Sequence, residues 1–353
     1  MGHNVSGETM MDKGLVVVTG ASGFVGKWVA IDLLEAGYRV RGTVRSEAKA
    51  AQVRATITEK LGAEPASRLQ TCLCDLLSDQ GWSAAMQGAS AVMHVATQIL
   101  AEEPKDPSLV ERPAMEGTAR VLRFANAAGI KRVVITSSIA TVGYGHGQTT
   151  GKRTYTSKDF TDLDNMKWKW AYCIGKTKAE RAAWEFAKAN GIGLTTIHPG
   201  MILGPAVDTD TSISLGAVSG LLDGSMPALP GNGFTVSDVR DVAEMHVAAL
   251  EKPESAGQRY LATGTYLPFQ QIADILRKAY PDAGVTMKVI PDWLIKLLVR
   301  FNSPIRQIIN DIGNEKHYDG TKGEGLLGHP FRSPEEATLS AAKSLIELGI
   351  VKL

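Results

Sequence analysis

The sequence has few cysteines, almost no excess charge and no long apolar run. Its 353 residues include three cysteines, which together with the seven histidines show no zinc-site spacing, so no metal centre is expected. A formal net charge of +1 gives no reason to expect a nucleic acid or an anionic membrane as partner. No stretch approaches the roughly 20 apolar residues that cross a bilayer. Because the first dozen residues also lack the apolar core of a secretory signal and predict a disordered leader, we expect a cytoplasmic protein with reduced thiols.

Short apolar strands alternate with helices through the first two hundred residues. The apolar patterns predict strands over residues 15–19, 38–44, 69–73, 91–95, 132–136 and 194–197, and helices over residues 24–36, 48–61, 113–128 and 170–190. Fully apolar strands joined by helices indicate a parallel sheet that is covered on both faces. With right-handed crossovers, this pattern predicts an α/β, doubly wound Rossmann fold.

The second part of the chain differs from the first in composition. Residues 205–235 are rich in Gly, Ser, Asp and Pro and predict loops around one helix, whereas residues 236–249 predict a helix and 259–262 a strand. Residues 264–353 are mostly helical and rich in loops. We therefore expect a Rossmann domain over residues 1–200 and 236–263. A smaller, mostly helical substrate-binding lobe over residues 201–235 and 264–353 would cover the carboxyl ends of the strands.

A glycine-rich turn follows the first predicted strand. Gly20 allows a sharp turn, Gly23 allows the backbone to approach a pyrophosphate, and Gly26 permits close packing of helix on strand. The helix that begins here directs its free N–H groups and the positive end of its dipole at the phosphates. Because the pattern lies between a strand and a helix, it predicts a dinucleotide site rather than an ordinary turn.

The end of the second strand selects the cofactor. NAD enzymes carry an acid there, which binds the ribose 2′-hydroxyl. This chain has Arg45, with Lys49 nearby, and no acid before Glu47. A guanidinium binds phosphate oxygens in pairs, so this segment predicts a 2′-phosphate and hence NADP(H).

A tyrosine and a lysine four residues apart lie in the helix predicted over residues 170–190. Tyr172 and Lys176 share one helix face, so the ammonium group can favour ionisation of the phenol. Upstream, the fifth strand ends at Thr136 and is followed by Ser137 and Ser138, whose hydroxyls would face the cleft. A serine there can bind a substrate oxygen on which negative charge develops. Together these residues predict acid–base chemistry on a carbonyl group.

The segments TGASGFVG, RGTVRS and ITSS and the YxxxK spacing resemble the extended short-chain dehydrogenase/reductase family. The chain is most similar to its dihydroflavonol 4-reductase-like branch, which includes carbonyl and methylglyoxal reductases. The resemblance implies that Ser138 polarises the carbonyl, that Tyr172 donates the proton, and that Lys176 orients the ribose and lowers the pKa of the tyrosine. It also implies a cofactor site formed by Gly20, Ser22, Gly23, Phe24, Val25, Gly26, Arg45, Lys49, Asp75, Leu76, Val95, Ala96, Thr97, Thr136, Tyr172, Lys176, Pro199, Gly200, Met201 and Ile202.

Two residues depart from the pattern of this family. Many relatives have Ser where this chain has Gly175, a difference that affects packing more than chemistry. The flavonoid reductases have an Asn at the position of Gly143, so a flavonoid substrate is not implied. The substrate pocket is expected from residues 97–113, 143–169, 206–234 and 291–312, whose apolar and aromatic members suit an aromatic or branched aliphatic carbonyl. Those members are Ile99, Tyr144, Trp168, Phe234, Trp293 and Phe301.

The sequence thus predicts an enzyme, monomeric or homodimeric, that reduces an aldehyde or ketone to an alcohol with NADPH. An alternative from the same family is a sugar-nucleotide epimerase or dehydratase that holds NAD tightly, against which Arg45 argues. A further alternative is a regulator that senses NADP without catalysis. Such regulators typically lack the tyrosine and lysine that this chain has at Tyr172 and Lys176.

Overall fold

The computed structural model describes residues 12–100, 102–147, 152–299 and 303–353. Phe301 and residues 1–11 of the predicted leader lie outside the described residues. The strands are β1 (Leu15–Thr19), β2 (Arg39–Val44), β3 (Leu69–Leu73), β4 (Ala91–His94), β5 (Arg132–Thr136), β6 (Lys152–Tyr155), β7 (Gly193–Pro199), β8 (Met201–Leu203), β9 (Gly233–Asp238), β10 (Gln258–Ala262), β11 (Tyr266–Pro268) and β12 (Glu315–Tyr318). The helices are α1 (Phe24–Glu35), α2 (Glu47–Leu61), α3 (Ala63–Ser67), α4 (Trp82–Met86), α5 (Ser108–Ala127), α6 (Ala171–Asn190), α7 (Ile213–Leu222), α8 (Val239–Glu251), α9 (Phe269–Ala279), α10 (Asp292–Leu298), α11 (Ser303–Ile308), α12 (Thr321–Leu327) and α13 (Pro334–Glu347).

Within the described residues, the central sheet has seven parallel strands in the order β10-β7-β5-β4-β1-β2-β3. The order of the strands reverses at β1, which pairs with β2 on one side and with β4 on the other. In a doubly wound sheet, a crevice opens at the carboxyl ends of the strands at such a reversal. The predicted Rossmann fold is therefore confirmed.

Both faces of this sheet are covered by helices, and successive side chains of β1 show how. Val16 and Val18 pack into an apolar cluster with α1, α2 and α8, whereas Val17 packs into a second cluster with α4, α5 and α6. Successive residues of a strand point to opposite faces, so a strand that is buried on both sides is apolar throughout. This explains why the strands were visible in the sequence as continuous apolar runs.

Two predicted boundaries are wrong. The helix expected from Pro113 begins at Ser108, so Pro113 lies inside α5. Pro107 and Asp106 start this helix, because the carbonyl oxygen of Pro107 accepts from the Val110 and Glu111 amides and the Asp106 carboxylate accepts from the Ser108 amide.

The second wrong boundary is the helix expected from Val236. Residues 236–238 instead belong to β9, which pairs in parallel with β8, and the helix begins one residue later with Asp238 as its N-cap. Asp238 accepts a hydrogen bond from the Arg240 amide at 2.9 Å. The pairing of β9 depends on a strand that is distant in the sequence, so local periodicity did not reveal it.

Smaller sheets and the late helices build over the carboxyl ends of the central strands. In the described residues, β11, β9 and β8 form one small sheet, and β12 pairs with β6 in parallel. After residue 264 the chain is mostly helical, and α9 and α13 both pack against β9. The exact division of the chain into two domains stays a prediction. No helix in the described ranges combines the length and apolarity needed to cross a bilayer.

Candidate active site

A large cavity of about 920 Å³ lies at the carboxyl ends of the central strands. One end lies against the glycine-rich turn after β1, and the other reaches the segment after α11. Of the residues predicted to bind the cofactor, every one except Lys49 lines this cavity, and Ser138 lines it too. We call the end at the glycine-rich turn the dinucleotide half and the end at Asp311 the substrate half.

The glycine-rich turn leaves no room for a side chain at Gly20 or Gly26. Gly20 has a φ of +68°, and a Cβ atom on it would lie 2.9 Å from the Cα of Ala96. A Cβ atom on Gly26 would lie 2.1 Å from the carbonyl oxygen of Gly20. Gly23 is the N-cap of α1 and offers no side chain to the first turn of the helix. The first amides of α1 therefore stay available for an anion, as a pyrophosphate requires.

Arg45 and Lys49 have different environments. Arg45 is exposed at the edge of the cavity, and its guanidinium has no hydrogen-bond or ion-pair partner in the described part of the chain. Lys49 does not line the cavity. Its ammonium group instead donates to Asp210 at 2.6 Å and to Gln52 at 3.2 Å. Of the two cations predicted for the 2′-phosphate, the structure thus brings only Arg45 to the cavity.

A buried threonine fixes the end of β4 beside the glycine-rich turn. The hydroxyl oxygen of Thr19 accepts from the amides of Val95 and Ala96 at 3.1 and 3.0 Å, and it lies 2.8 Å from Nδ1 of His94. The next residue that lines the cavity, Thr97, has a buried hydroxyl without a partner in the described structure. An unpartnered buried hydroxyl and a free guanidinium fit a polar ligand such as a dinucleotide. These residues would hold its ribose and 2′-phosphate.

Ser138, Tyr172 and Lys176 meet in the wall of the cavity. Ser138 follows β5 and caps a short 3-10 helix (Ile139–Thr141), where its hydroxyl accepts from the Ala140 amide at 3.1 Å. The phenol of Tyr172, from the first turn of α6, lies close enough to the Ser138 side chain for that hydroxyl to lower its pKa. Lys176 is buried one turn later and donates to the carbonyl oxygen of Thr136 at 2.7 Å. The three side chains that the sequence singled out are therefore brought together.

The ionisation of these groups differs from the simplest expectation. Burial raises the pKa of Tyr172 to about 12, and the hydrogen bond from Ser138 offsets only part of this effect. Burial also lowers the pKa of Lys176 to about 8, against the attraction of the Glu180 carboxylate. Without a bound dinucleotide, Lys176 is therefore not the group that controls the phenol. A phenol that keeps its proton at neutral pH is in the form that a proton donor requires.

A buried carboxylate behind these three residues was missed in the sequence. Glu180 accepts from the hydroxyl of Ser137 and from Nε of Arg259, both at 2.7 Å. Burial opposes its ionisation, but His198 and Arg259 outweigh that effect and keep the pKa of Glu180 at about 2. His198 in turn donates through Nδ1 to the carbonyl oxygen of Ser138 at 3.2 Å. Glu180 lies four residues after Lys176, the same spacing as from Tyr172 to Lys176, and this spacing was the one available signal.

The substrate half only partly follows the sequence expectation. Ile99, Tyr144 and Phe234 line it, as predicted. Trp168 is instead packed beside the buried cluster of Ile295 and its neighbours, and Trp293 is 67% exposed. The aromatic and charged members that the sequence did not single out are Trp170, Phe269 and Asp311.

The two departures from the family pattern have physical explanations. A Cβ atom on Gly143 would lie 2.3 Å from the phenol oxygen of Tyr318, so the Tyr318 ring occupies the space that a side chain would need. A Cβ atom on Gly175 would lie 3.0 Å from the Cα of Glu111, because α5 and α6 pack closely there. At both positions the glycine reflects close packing of the surrounding structure rather than an empty space in the site.

One segment of the substrate lobe is anchored on the Rossmann helices. We call residues 205–212, between β8 and α7, the anchored segment. Its Asp208 pairs with Lys27 of α1, which is 1% exposed, and also accepts from the hydroxyl of Thr56 at 2.8 Å. Asp210 pairs with Lys49 of α2. Thr211 and Ser212 of this segment line the cavity, so these ion pairs hold part of its wall in place.

Several known proteins with similar sequences and structures are reductases by name. A family model described as the NAD dependent epimerase/dehydratase family matches residues 16–262, which span the whole central sheet. Cinnamoyl-CoA reductase 1 of Petunia hybrida is 36% identical over 280 residues, covering 78% of this chain and 80% of that protein. Dihydroflavonol 4-reductase of Zea mays is 32% identical over 285 residues, covering 78% and 77%. The solved structure of yeast methylglyoxal/isovaleraldehyde reductase Gre2 complexed with NADPH has a TM-score of 0.75 at 25% identity and covers 95% of this chain and 99% of that one.

Proposed function

This chain belongs to the NAD dependent epimerase/dehydratase family, the extended short-chain dehydrogenases/reductases, and we propose that it reduces a small aldehyde or ketone with NADPH through Ser138, Tyr172 and Lys176. The predicted family is confirmed, and with it an NADP-dependent oxidoreductase. The observation that carries the mechanism is the meeting of these three side chains in the wall of one cavity.

The proposed division of roles follows from the contacts. NADPH, when bound, supplies the hydride. The hydroxyl of Ser138 and the phenol of Tyr172 lie together, so both can hydrogen-bond one carbonyl oxygen and stabilise the charge that develops on it. Tyr172 donates its proton to that oxygen. Lys176 is fixed to the Thr136 carbonyl and would orient the ribose beside the phenol.

The choice of NADPH rests on the dinucleotide half of the cavity. Arg45 is a free guanidinium at the end of β2, where a 2′-phosphate would lie, and no acid takes the position that would bind a ribose 2′-hydroxyl. An epimerase that recycles tightly bound NAD consumes no NADPH. Net oxidation of NADPH in the presence of an aldehyde therefore separates the two functions directly.

The test of the mechanism is the Tyr172→Phe variant, which removes the proton donor and keeps the ring. We expect turnover to fall by roughly 10²- to 10⁴-fold, the usual contribution of a general acid, while NADPH still binds. Turnover is measured as the loss of NADPH absorbance with a panel of aldehydes and ketones, and binding by NADPH fluorescence.

Tyr38→Phe is the matched control, because Tyr38 precedes β2 and its hydroxyl lies 3.4 Å from Glu251, outside the cavity. This variant should keep the activity of the unmodified protein. If Tyr172→Phe retained turnover as well, another group would have to supply the proton and the proposed mechanism would be wrong.

A further inference from the structure

The substrate half of the cavity carries a single charge in its described lining. Four charged residues line the whole cavity in the part of the chain that the structure describes. Arg45, Asp75 and Lys176 belong to the dinucleotide half and its catalytic border, which leaves Asp311 in the substrate half. Asp311 is only 8% exposed, yet it forms part of the wall of this mostly apolar space. A buried carboxylate in such a place requires partners.

The partners of Asp311 hold it firmly. The phenol of Tyr144 lies 3.1 Å from Oδ1 and 3.2 Å from Oδ2, and it donates to this carboxylate. The ammonium group of Lys316 pairs with Oδ1 and also lies 3.9 Å from the centroid of the Tyr144 ring. A carboxylate offers about four acceptor positions. In the described structure Oδ2 accepts only from Tyr144, so this carboxylate keeps acceptor capacity for a ligand.

An aromatic wall connects the proposed proton donor with this carboxylate. The ring centroids of Tyr172 and Trp170 lie 5.4 Å apart, and those of Trp170 and Tyr144 are separated by the same distance. Trp170 and Tyr144 both line the cavity, and Tyr144 ends at Asp311. A substrate whose carbonyl lies at Tyr172 therefore extends along aromatic faces, and its far end meets Asp311.

We propose that Asp311 is a specificity-determining residue that binds a hydrogen-bond donor, a hydroxyl or an ammonium group, at the end of the substrate remote from its carbonyl. This inference rests on the proposed carbonyl reduction. A carboxylate accepts hydrogen bonds from such groups and has no hydrogen-bond donor to offer an anion. Substrates with a carboxylate or phosphate at the remote end are therefore disfavoured relative to those that carry the donor.

The test compares aldehydes that differ only at the remote end. A suitable set is 3-phenylpropanal and its derivatives with a hydroxyl, an aminomethyl or a carboxylate group at the ring position opposite the chain, with the corresponding benzaldehydes and phenylacetaldehydes to vary the length. For each protein, the kcat/KM of every derivative is divided by that of its unsubstituted aldehyde. We expect a donor-bearing derivative of fitting length to be preferred by roughly 10- to 100-fold, the range for hydrogen bonds to charged groups.

Asp311→Asn keeps the shape of the side chain and removes its charge. In this variant we expect the kcat/KM ratio of the donor-bearing derivative to fall at least fivefold. The ratio of the carboxylate derivative should rise. The higher of the ammonium and hydroxyl ratios in the original protein identifies the donor that the site prefers, and the ammonium ratio should fall more in Asp311→Asn because loss of the charge affects a cation more. Since Asp311→Asn leaves Lys316 without its anionic partner, the double variant Asp311→Asn/Lys316→Gln repeats the measurement without an unpaired buried cation.

Asp282→Asn, at an exposed position outside the cavity, is the matched control and should leave the ratios unchanged. If the ratios were the same in the original protein and in both Asp311 variants, Asp311 would have no role in specificity. Failure of the unsubstituted aldehydes to oxidise NADPH would instead refute the proposed function itself, so the two failures are distinguishable.

Discussion

The two halves of the cavity are built in different ways. The dinucleotide half comes from the ends of neighbouring strands and from one turn, and its critical residues, such as Gly20 and Gly26, follow directly after β1. The substrate half collects side chains from segments far apart in the chain, including Ile99, Tyr144 and Asp311. Backbone amides and missing side chains define the first half, whereas the identity of a few side chains defines the second. Substitutions in the dinucleotide half should therefore act by changing the shape of the backbone. Substitutions in the substrate half should act by changing the chemical groups that the cavity presents.

Among the substitutions that distinguish the two halves of the cavity, Gly26→Ala is expected to have the largest effect. The added Cβ atom would lie 2.1 Å from the carbonyl oxygen of Gly20, and backbone has to move to admit it. We expect the affinity for NADPH to fall by roughly 100-fold, since overpacking costs about 1–3 kcal/mol and the displaced amides also lose contact with phosphate. The dissociation constant is measured by titration of NADPH fluorescence.

Gly325→Ala provides the matched control for this loss. Gly325 lies in α12, and a Cβ atom on it would meet no atom within 4 Å. This variant should bind NADPH normally and gain up to about 1 kcal/mol of stability from the better helix former. Equal affinity in the two variants would mean that the glycine-rich turn does not form the phosphate site.

Smaller effects on NADPH affinity are expected from the two cations near the end of β2, and they should differ between Arg45 and Lys49. For Arg45→Ala we expect NADPH affinity to fall by roughly 10- to 100-fold, the range for hydrogen bonds between charged groups, while NADH affinity changes little. For Lys49→Ala we expect less than about a threefold change, because Lys49 is already paired with Asp210 at the surface. Binding of both cofactors to both variants is compared. Equal losses of NADPH and NADH affinity in Arg45→Ala would remove Arg45 from this role.

The smallest expected effect is a shift in the pH profile. Lys176 loses its proton as the pH rises through about 8, so reduction should slow on the alkaline side of this value. Glu180 attracts the ammonium group and raises its pKa, so Glu180→Gln should move this alkaline limb to lower pH. His94 and His198 stay neutral across the range, because burial lowers the pKa of His94 to about 3 and of His198 to about 4.

The profile is recorded as log kcat/KM against pH, with melting temperatures to follow the folding of the variant. Glu185→Gln is the matched control, since Glu185 is exposed on the same helix. Its limb should not move. A limb that stays in place in Glu180→Gln, or that moves to higher pH, would contradict the proposed role of Lys176.

The two halves of the cavity also differ in how much of them could be predicted from the sequence. The central fold and the glycine-rich turn were predictable, because apolar runs and glycine spacing are local signals with direct structural causes. The roles of Lys49 and Asp311 were not, because each depends on a partner from a distant segment, Asp210 in one case and Tyr144 in the other. Glu180 was missed for the same reason, since its partners are Ser137, just after β5, and Arg259 of β10.

The ion pair between Lys27 and Asp208 has a consequence for redesign of the substrate half. The anchored segment is an obvious region to diversify when a different substrate is wanted, because two of its residues, Thr211 and Ser212, face the cavity. Asp208 in that segment compensates an ammonium group that is almost completely buried, and removal of one member of such a pair costs about 3–5 kcal/mol. Variant libraries that randomise the loop without fixing position 208, or without replacing Lys27 at the same time, will therefore be dominated by destabilised proteins.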